Sequence, residues 1–119
     1  MITIKNFEEL EIWQMARELV NFIYSDFRDC RDFGFRDQIN RAGVSIMNNI
    51  SEGFCRGGNL EFKQFLKISK GSTGEVKNMY YVAEDQGYVN KDTAIDRRNK
   101  AQYLINRNGV LIRYLKSYK

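Results

Sequence analysis

Residues 45–56 read SIMNNISEGFCR, and this stretch decides the class of fold that the sequence predicts. Isoleucines stand at positions 46 and 50, with polar serine and asparagine side chains around them. That spacing places the apolar side chains on one face of an α-helix and the polar ones on another. Gly53 interrupts the pattern, and glycines at positions 57 and 58 are typical of a chain that leaves a helix through a left-handed turn. The stretch therefore predicts the end of an amphipathic helix.

The same spacing of apolar residues recurs along the chain and predicts four helices. Asp32 and Asn59 stand where the second and third helices need N-caps, and Asn90 or Asp92 stands where the fourth begins. Gly87 ends the third helix. The expected bounds are residues 7–27, 33–53, 60–86 and 91–116.

Length and composition agree with a helical fold. The chain of 119 residues contains no proline, and most of its nine glycines group at expected helix ends or points of close packing. Short connections between helices of similar length favour antiparallel neighbours. We therefore expect an all-α, left-handed, up-down-up-down four-helix bundle, with residues 1–119 forming one domain.

The composition argues against an enzyme, a metalloprotein and a membrane protein. Histidine, the commonest general base and metal ligand, is absent, and two isolated cysteines, Cys30 and Cys55, cannot form a zinc site alone. No stretch approaches the roughly 18–20 apolar residues of a membrane span, and no secretory signal is evident. We therefore expect a soluble, cytoplasmic, non-enzymatic protein with reduced thiols and neither cofactor nor metal.

Four lysines form a row on the third predicted helix. They share one outer face because they are separated by four, three and seven residues, and Tyr81 continues the row. Evenly spaced ammonium groups on a rigid rod suit contact with phosphates, and an aromatic ring suits stacking on a base. A row of solvated lysines without a ligand is the alternative. The candidate nucleic-acid-binding residues are these lysines and three basic residues of the fourth helix: Lys63, Lys67, Lys70, Lys77, Arg107, Arg113 and Lys116.

Two helix faces carry more apolar surface than one bundle needs. Apolar residues cover well over half the circumference of the first helix, whereas a bundle buries a stripe of only about 100° from each helix. The fourth helix also carries an aromatic and aliphatic face opposite its core, which suits a subunit interface, the interpretation we favour, or single-stranded RNA. We therefore expect a homo-oligomer with an interface that includes Ile12, Met15, Leu19, Tyr103, Val110 and Tyr114.

Polar residues on the second and third helices are expected to have structural roles. Glu52 and Glu75 have the chemistry of an acid–base pair, but the sequence has no histidine, phosphate-binding loop or metal cluster to accompany them. We expect these glutamates to pair with Arg41, Arg56 or a neighbouring subunit. We expect the Asn49 side chain to form a hydrogen bond with the backbone near the helix end.

Small residues in the middle of the third helix predict close packing there. A glycine inside a helix costs about 1 kcal/mol relative to alanine. Close approach of a neighbouring helix would offset that cost. The small residues are Ser69, Gly71, Ser72 and Gly74.

Charge is unevenly distributed along the chain, whose net charge is +4. Residues 7–37 contain eight acids and four arginines, whereas seven basic residues and no acid follow Asp96. This asymmetry suggests either an anionic partner or subunits that meet through opposite charges.

Four short motifs carry a resemblance to a known family. They are Phe7–Leu10 followed by Trp13, Asn49–Gly53 followed by Arg56, Phe62 with Phe65 and Leu66, and Gly71-Ser72 followed by Glu75. From about Phe7 to its C-terminus, the chain resembles the small bacterial four-helix bundle proteins first noticed as products of intervening sequences in large-subunit ribosomal RNA genes. The same family includes the accessory subunit of diversity-generating retroelements.

The resemblance implies an oligomeric helical protein that associates with RNA or a partner protein and is not an enzyme. It also suggests a ring, with a pentamer as the favoured form. Two classes of function are open: an accessory protein that binds RNA or another nucleic acid electrostatically, or a protein-interaction scaffold. The second class includes an accessory subunit of a reverse transcriptase that does not itself bind nucleic acid.

Overall fold

Four α-helices make up most of the computed structural model, which describes residues 4–117, with side chains described as far as residue 115. A short 3-10 helix at Phe7–Glu9 precedes them, and this part of the chain contains no strand. Each helix packs against the next one in the sequence, and the fourth closes the bundle by packing against the first. The predicted up-down-up-down four-helix bundle is therefore confirmed. The helices are α1 Glu11–Asp26, α2 Phe33–Cys55, α3 Asn59–Asp85 and α4 Lys91–Ser117.

The predicted capping residues are confirmed at three helix ends. Asp32 caps α2 because its Oδ1 accepts a hydrogen bond from the Phe35 amide at 3.1 Å. Asn90 caps α4 in the same way, accepting from the Thr93 amide at 2.7 Å. Gly87 follows α3 with a φ of 75°, a left-handed conformation in which glycine has no steric penalty.

Three predicted boundaries are wrong. α2 continues past Gly53 to Cys55, and the chain turns at Gly57, where φ is 86°. Gly58 rather than Asn59 occupies the N-cap position of α3. The first helix does not run unbroken from residue 7, because Leu10 is extended and separates the 3-10 helix from α1.

The break at Leu10 brings the N-terminal segment against α1 at Trp13. Phe7 packs against the core, and its ring centroid lies 5.5 Å from that of Trp13. The exposed fractions of Ile12 and Leu19 are only 4% and 2%. These two side chains have no surface left for a second subunit, which corrects the prediction that they belong to an interface.

α2 and α3 approach each other closely through small residues. A Cβ atom built on Gly53 would lie 2.6 Å from the Cβ of Phe65, a distance that real structures essentially never show. Nearby, the Ser69 hydroxyl donates to the Ile46 carbonyl at 2.9 Å, and the hydroxyls of Ser45 and Ser72 lie 2.9 Å apart. The predicted close packing of the third helix is therefore confirmed at its serines.

The same prediction is wrong for the two glycines of α3. Nothing outside the local backbone lies within 4 Å of a Cβ built on Gly71 or Gly74. Both positions face open space in the single chain, because the serines rather than the glycines point toward α2.

A largely buried polar cluster joins three helices at one end of the bundle. Asp26 of α1 accepts a hydrogen bond from the Tyr80 hydroxyl of α3 at 2.7 Å and from the Arg97 guanidinium of α4 at 2.8 Å. The same guanidinium lies 4.0 Å from the ring centroid of Phe22. Burial and the hydrogen bond to Asp26 raise the pKa of Tyr80, and its hydrogen bonds to Asp26 raise the pKa of Arg97.

Alanine substitutions at two glycines test the packing of α2 on α3. Gly53→Ala forces the Phe65 side chain and the helix backbone apart, so we expect the free energy of unfolding to fall by about 1–3 kcal/mol. Gly71→Ala is the control, since its new methyl group meets open space, and we expect a gain of about 0.5–1 kcal/mol from helix propensity. Urea unfolding followed by circular dichroism measures both, and changes of the same sign would contradict the packing.

A Tyr80→Phe substitution tests the buried cluster through its pH dependence. Because folding raises the pKa of this phenol above its ordinary value of 10.0, the neutral form is favoured in the folded state. The stabilisation is present below about pH 10 and is lost as pH rises further, by up to about 1.4 kcal/mol per pH unit. Tyr80→Phe removes that component and costs about 1 kcal/mol at neutral pH through the lost hydrogen bond. Urea unfolding of both proteins below and above about pH 10 checks this, and parallel pH profiles would be inconsistent with it.

Candidate nucleic-acid interface

α3 and α4 run antiparallel and meet along one side of the bundle. The Lys77 ammonium donates to the Gln102 side-chain oxygen at 2.7 Å. Seven residues earlier on α3, the Lys70 ammonium lies 3.9 Å from the point where a Cβ atom on Gly109 would stand. Because residue numbers decrease along α3 as they increase along α4, the two helices are antiparallel. The predicted lysine row therefore lies beside α4 rather than on a free face. We call this surface, which bears Lys63, Lys67, Lys70, Lys77 and Arg113, the basic seam.

The lysines of the basic seam form an open line of positive charge. Lys63, Lys70 and Lys77 follow one another at intervals of two helical turns, or about 10 Å along the axis, and Lys67 stands on the outer edge. Lys67 and Lys70 are exposed, and the other two are half-buried. None of the four pairs with a carboxylate of residues 4–115. Their charge is therefore available to an external anion.

The basic residues predicted on α4 separate into three cases. Arg113 joins the lysines, because its Nη1 lies 3.4 Å from the Cβ point on Gly109 that Lys70 also approaches. Arg107 does not join them, since it faces α1 and pairs with Glu11 at 2.9 Å. The side chain of Lys116 lies outside the described residues.

Tyr81 stands at one end of the basic seam. Its ring is half-exposed, and the Arg98 guanidinium covers it with a carbon-to-centroid distance of 4.0 Å. Arg98 is fixed there by Glu84, whose carboxylate accepts its hydrogen bond at 2.8 Å. The ring is thus held in place by a cation while part of its surface stays open for stacking.

Much of the remaining positive charge of α4 is neutralised inside the fold. Four of the basic residues that follow Asp96 pair with carboxylates. Ion pairs within one chain therefore neutralise part of the positive charge at the C-terminal end of the sequence. This leaves the four lysines of the basic seam as cations without a carboxylate partner among residues 4–115. The pairs are Arg97 with Asp26, Arg98 with Glu84, Lys100 with Asp96, and Arg107 with Glu11.

Two of the predicted polar roles on α2 and α3 are confirmed. Arg56 pairs with Glu52 at 2.8 Å, and this hydrogen bond raises the pKa of Arg56. Asn49 donates to the Ser45 carbonyl at 2.8 Å, as expected of a side chain that bonds backbone near the helix end.

The other two predicted polar residues do not form the expected ion pairs. Glu75 accepts a hydrogen bond from the Gln38 amide at 3.2 Å instead of pairing with an arginine. Arg41 is exposed and pairs with no carboxylate among residues 4–115. It lines a shallow polar groove on the outer face of α2 with Ser45 and Asn48. Glu52 and Glu75 have separate partners, Arg56 and Gln38, and are not hydrogen-bonded to each other.

The outward face of α4 retains exposed apolar surface. The exposed fractions of Tyr103 and Val110 are 55% and 42%. Tyr114 is half-buried against the core, and so is Met15 of α1. Of the six predicted interface residues, Tyr103 and Val110 therefore offer the most surface to a second molecule.

The described residues give no sign of a metal site or of a membrane-spanning helix. No three histidine, cysteine, aspartate or glutamate side chains among them are grouped as metal ligands. None of the helices is both long enough and apolar enough to cross a lipid bilayer.

The sequence pattern does not indicate a role for Gly109, although Lys70 and Arg113 both approach it in the structure. The available signal was a glycine inside a predicted helix, four residues before Arg113 and therefore on the same face. Only the position of α3 reveals that Lys70 reaches the same point.

The match of a family model decides the relationship of this chain to known proteins. The model of the 23S rRNA-intervening sequence proteins matches residues 8–108, a span that includes α1, α2, α3 and most of α4. The chain belongs to this family. No curated protein matches it.

The fold of this family member is similar to that of a solved structure. It is a protein of unknown function from the S23 ribosomal protein family of Bacteroides thetaiotaomicron, with a TM-score of 0.79 and 19% sequence identity. The match covers 85% of this chain and 97% of the other. The two proteins therefore share a fold.

Proposed function

We propose that this 23S rRNA-intervening sequence family protein is a non-enzymatic homo-oligomer that binds RNA electrostatically, as an accessory factor. The observation that carries the proposal is the basic seam, where lysines without carboxylate partners stand beside Arg113. Protein contacts to phosphates rely on Lys and Arg side chains arranged in this way. The family to which the chain belongs is itself named for a ribosomal RNA element.

The geometry of the seam favours phosphate contact over recognition of bases. Its cations lie along two packed helices, and the adjoining polar groups Gln102 and Asn106 bond to each other at 2.9 Å. Tyr81 offers a stacking surface, which accepts any base because every base has a π face. We therefore expect binding with weak sequence preference and strong salt dependence.

An oligomer would bring several basic seams together. Tyr103 and Val110 form an exposed apolar face on α4, and such a face is typically covered by another molecule. A ring, with a pentamer as the favoured form, would repeat each seam around its axis. Contacts that are weak singly would then add, because the first contact raises the effective concentration of the next.

A protein-interaction scaffold is the second candidate function. The observation that favours it is the apolar surface on the outer side of α3, where Leu60 and Ile68 are well exposed. Exposed leucine and isoleucine suit a protein partner better than a phosphate backbone. A reverse transcriptase or another protein would be the partner in this case.

Glutamate substitutions on α4 test the oligomer. We expect Tyr103→Glu and Val110→Glu to dissociate it while helicity is retained, because both side chains point away from the core. Light scattering should give about five times the chain mass of 14.0 kDa for the wild type and the chain mass for the variants. Ile12→Glu is the contrasting variant, since it should lower helicity by placing a charge in the core. A wild-type mass of one chain would contradict the proposal.

A salt titration tests RNA binding by the basic seam. The wild type and a Lys63/Lys67/Lys70→Glu variant are titrated against a fluorescent single-stranded RNA at several salt concentrations. We expect the wild-type affinity to fall steeply with salt, since bound phosphates release their counterions, and the variant to lose most of its affinity.

The control for this titration carries the same change in net charge at positions away from the seam. Lys5, Arg28 and Lys91 are all exposed and lie outside it, so Lys5/Arg28/Lys91→Glu should keep most of the affinity. Absence of wild-type binding at low salt would favour the scaffold function instead. Equal losses in the two triple variants would contradict a localised site.

A further inference from the structure

Tyr81 of α3 lies in line with two lysines of the basic seam. Lys63 and Lys70 stand eighteen and eleven residues before it, which correspond to about five and three whole helical turns. The three side chains therefore leave α3 in nearly the same direction. Lys77 stands one turn before Tyr81, about 6 Å along the axis, and its ammonium donates to Gln102 rather than to a carboxylate. The aromatic ring thus continues a line of positive charge.

Arg98 of α4 covers one face of the Tyr81 ring, with 4.0 Å between its guanidinium carbon and the ring centroid. The Glu84 carboxylate accepts a hydrogen bond from this guanidinium at 2.8 Å, and the Arg98 side chain is largely buried. Tyr81 is nevertheless 51% exposed. Because Arg98 occupies one face, this exposure belongs largely to the rest of the ring. The ring is therefore held in place with surface open to solvent.

The two other well exposed tyrosines of the described chain have no such support. Tyr24 of α1 and Tyr103 of α4 are 48% and 55% exposed, similar to Tyr81. Neither contacts another ring or a cation over its ring among residues 4–115. Fixing a side chain before a ligand binds lowers the entropy lost on binding. Tyr81 is therefore the exposed tyrosine best prepared for a ligand.

An aromatic surface at the end of a row of cations suits an unpaired base. Proteins recognise single-stranded RNA by stacking its bases on aromatic side chains, and every base has a π face. The bases of a duplex are already stacked on one another and are not available to a side chain. Lysines alone do not make this distinction, since both forms of RNA present phosphates.

We infer that Tyr81 is a base-stacking site, and that it makes the basic seam favour unpaired over duplex RNA. One base lies against the ring on the side away from Arg98, and the neighbouring phosphates contact the lysines. This inference rests on the proposed RNA-binding function and specifies the class of RNA that is bound.

The first test compares single-stranded and duplex RNA at one low salt concentration. A fluorescent single strand and its duplex are each titrated with the wild type, Tyr81→Ala and Tyr81→Phe. We expect Tyr81→Ala to lose about tenfold in affinity for the single strand, a typical effect of losing one stacked base. Its affinity for the duplex should change no more than about twofold, because a duplex offers no free base. Tyr81→Phe retains the ring and should bind both RNAs like the wild type.

Salt dependence separates stacking from phosphate contact. Tyr81→Ala should leave the slope of log affinity against log salt unchanged, because the ring carries no charge and Arg98 remains paired with Glu84. Lys70→Gln should instead lower the slope for the single strand by about 0.7, the value for one phosphate. Tyr24→Ala is the matched control, since α1 lies diagonally opposite α3, and it should change neither affinity nor slope. Circular dichroism on each variant checks that helicity is retained.

Photochemical crosslinking locates the base on the unaltered protein. A single-stranded RNA that carries iodouridine is irradiated in complex with the wild type, and the crosslinked peptide is identified by mass spectrometry. Because the excited base crosslinks to an aromatic ring stacked on it, we expect the crosslink at Tyr81. Crosslinks at Tyr24 or Tyr103 without one at Tyr81 would overturn the inference.

The possible outcomes distinguish this inference from the function on which it rests. If the wild type fails to bind either RNA at low salt, both the function and the stacking site are overturned. If the wild type binds but Tyr81→Ala weakens single-strand and duplex binding equally, or weakens neither, the seam stands and the stacking site is wrong. A loss confined to the single strand, with an unchanged salt slope, supports the stacking site.

Discussion

The contact between the α2 backbone at Gly53 and the Phe65 side chain of α3 is the constraint on which the rest of the structure depends. It fixes the rotation of α3 about its own axis, because only one side of α3 can approach α2 so closely. Ser69 and Ser72 then face α2, where both form hydrogen bonds with it. Lys70 and Lys77 lie on a different side of the same helix and are turned toward α4. The position of the basic seam is thus a consequence of how α3 packs on α2.

Ion pairing between the first and last helices determines which charges remain free. Asp26 and Glu11 of α1 take up Arg97 and Arg107 of α4, so the side of α4 that faces α1 is neutralised. Another side of α4 faces α3, where Lys70 and Arg113 both approach Gly109. The ion pairs of α4 with α1 therefore close the bundle.

The sequence predicts the helices well because local signals define them. Asp32 and Asn90 cap their helices through side-chain oxygens, and Gly87 provides the left-handed turn, so these ends need no tertiary information. The break at Leu10 was missed because it is stabilised by packing of Phe7 on Trp13, a contact that periodicity does not encode. The wide apolar face of α1 likewise suggests a second subunit, whereas Ile12 and Leu19 on that face lie in the core of the single chain. A periodic pattern shows that a face is apolar, but not which segment covers it.

The positions of the candidate site residues can likewise be predicted from the sequence only in part. Spacing within α3 placed the lysines on one face, because helical geometry is local. Spacing does not show that Arg107 pairs with Glu11 while Lys70 approaches Gly109 of α4, since this depends on where α1 and α3 lie around α4.

The most direct test of the account is lysine footprinting in the presence of RNA. Acetylation of surface lysines, read by mass spectrometry with and without a single-stranded RNA, reports which ammonium groups the RNA covers. We expect RNA to protect Lys67 and Lys70, while Lys5 and Lys91, which are exposed elsewhere on the protein, react at unchanged rates. Protection of Lys5 and Lys91 with unprotected Lys67 and Lys70, or no protection at all, would contradict it.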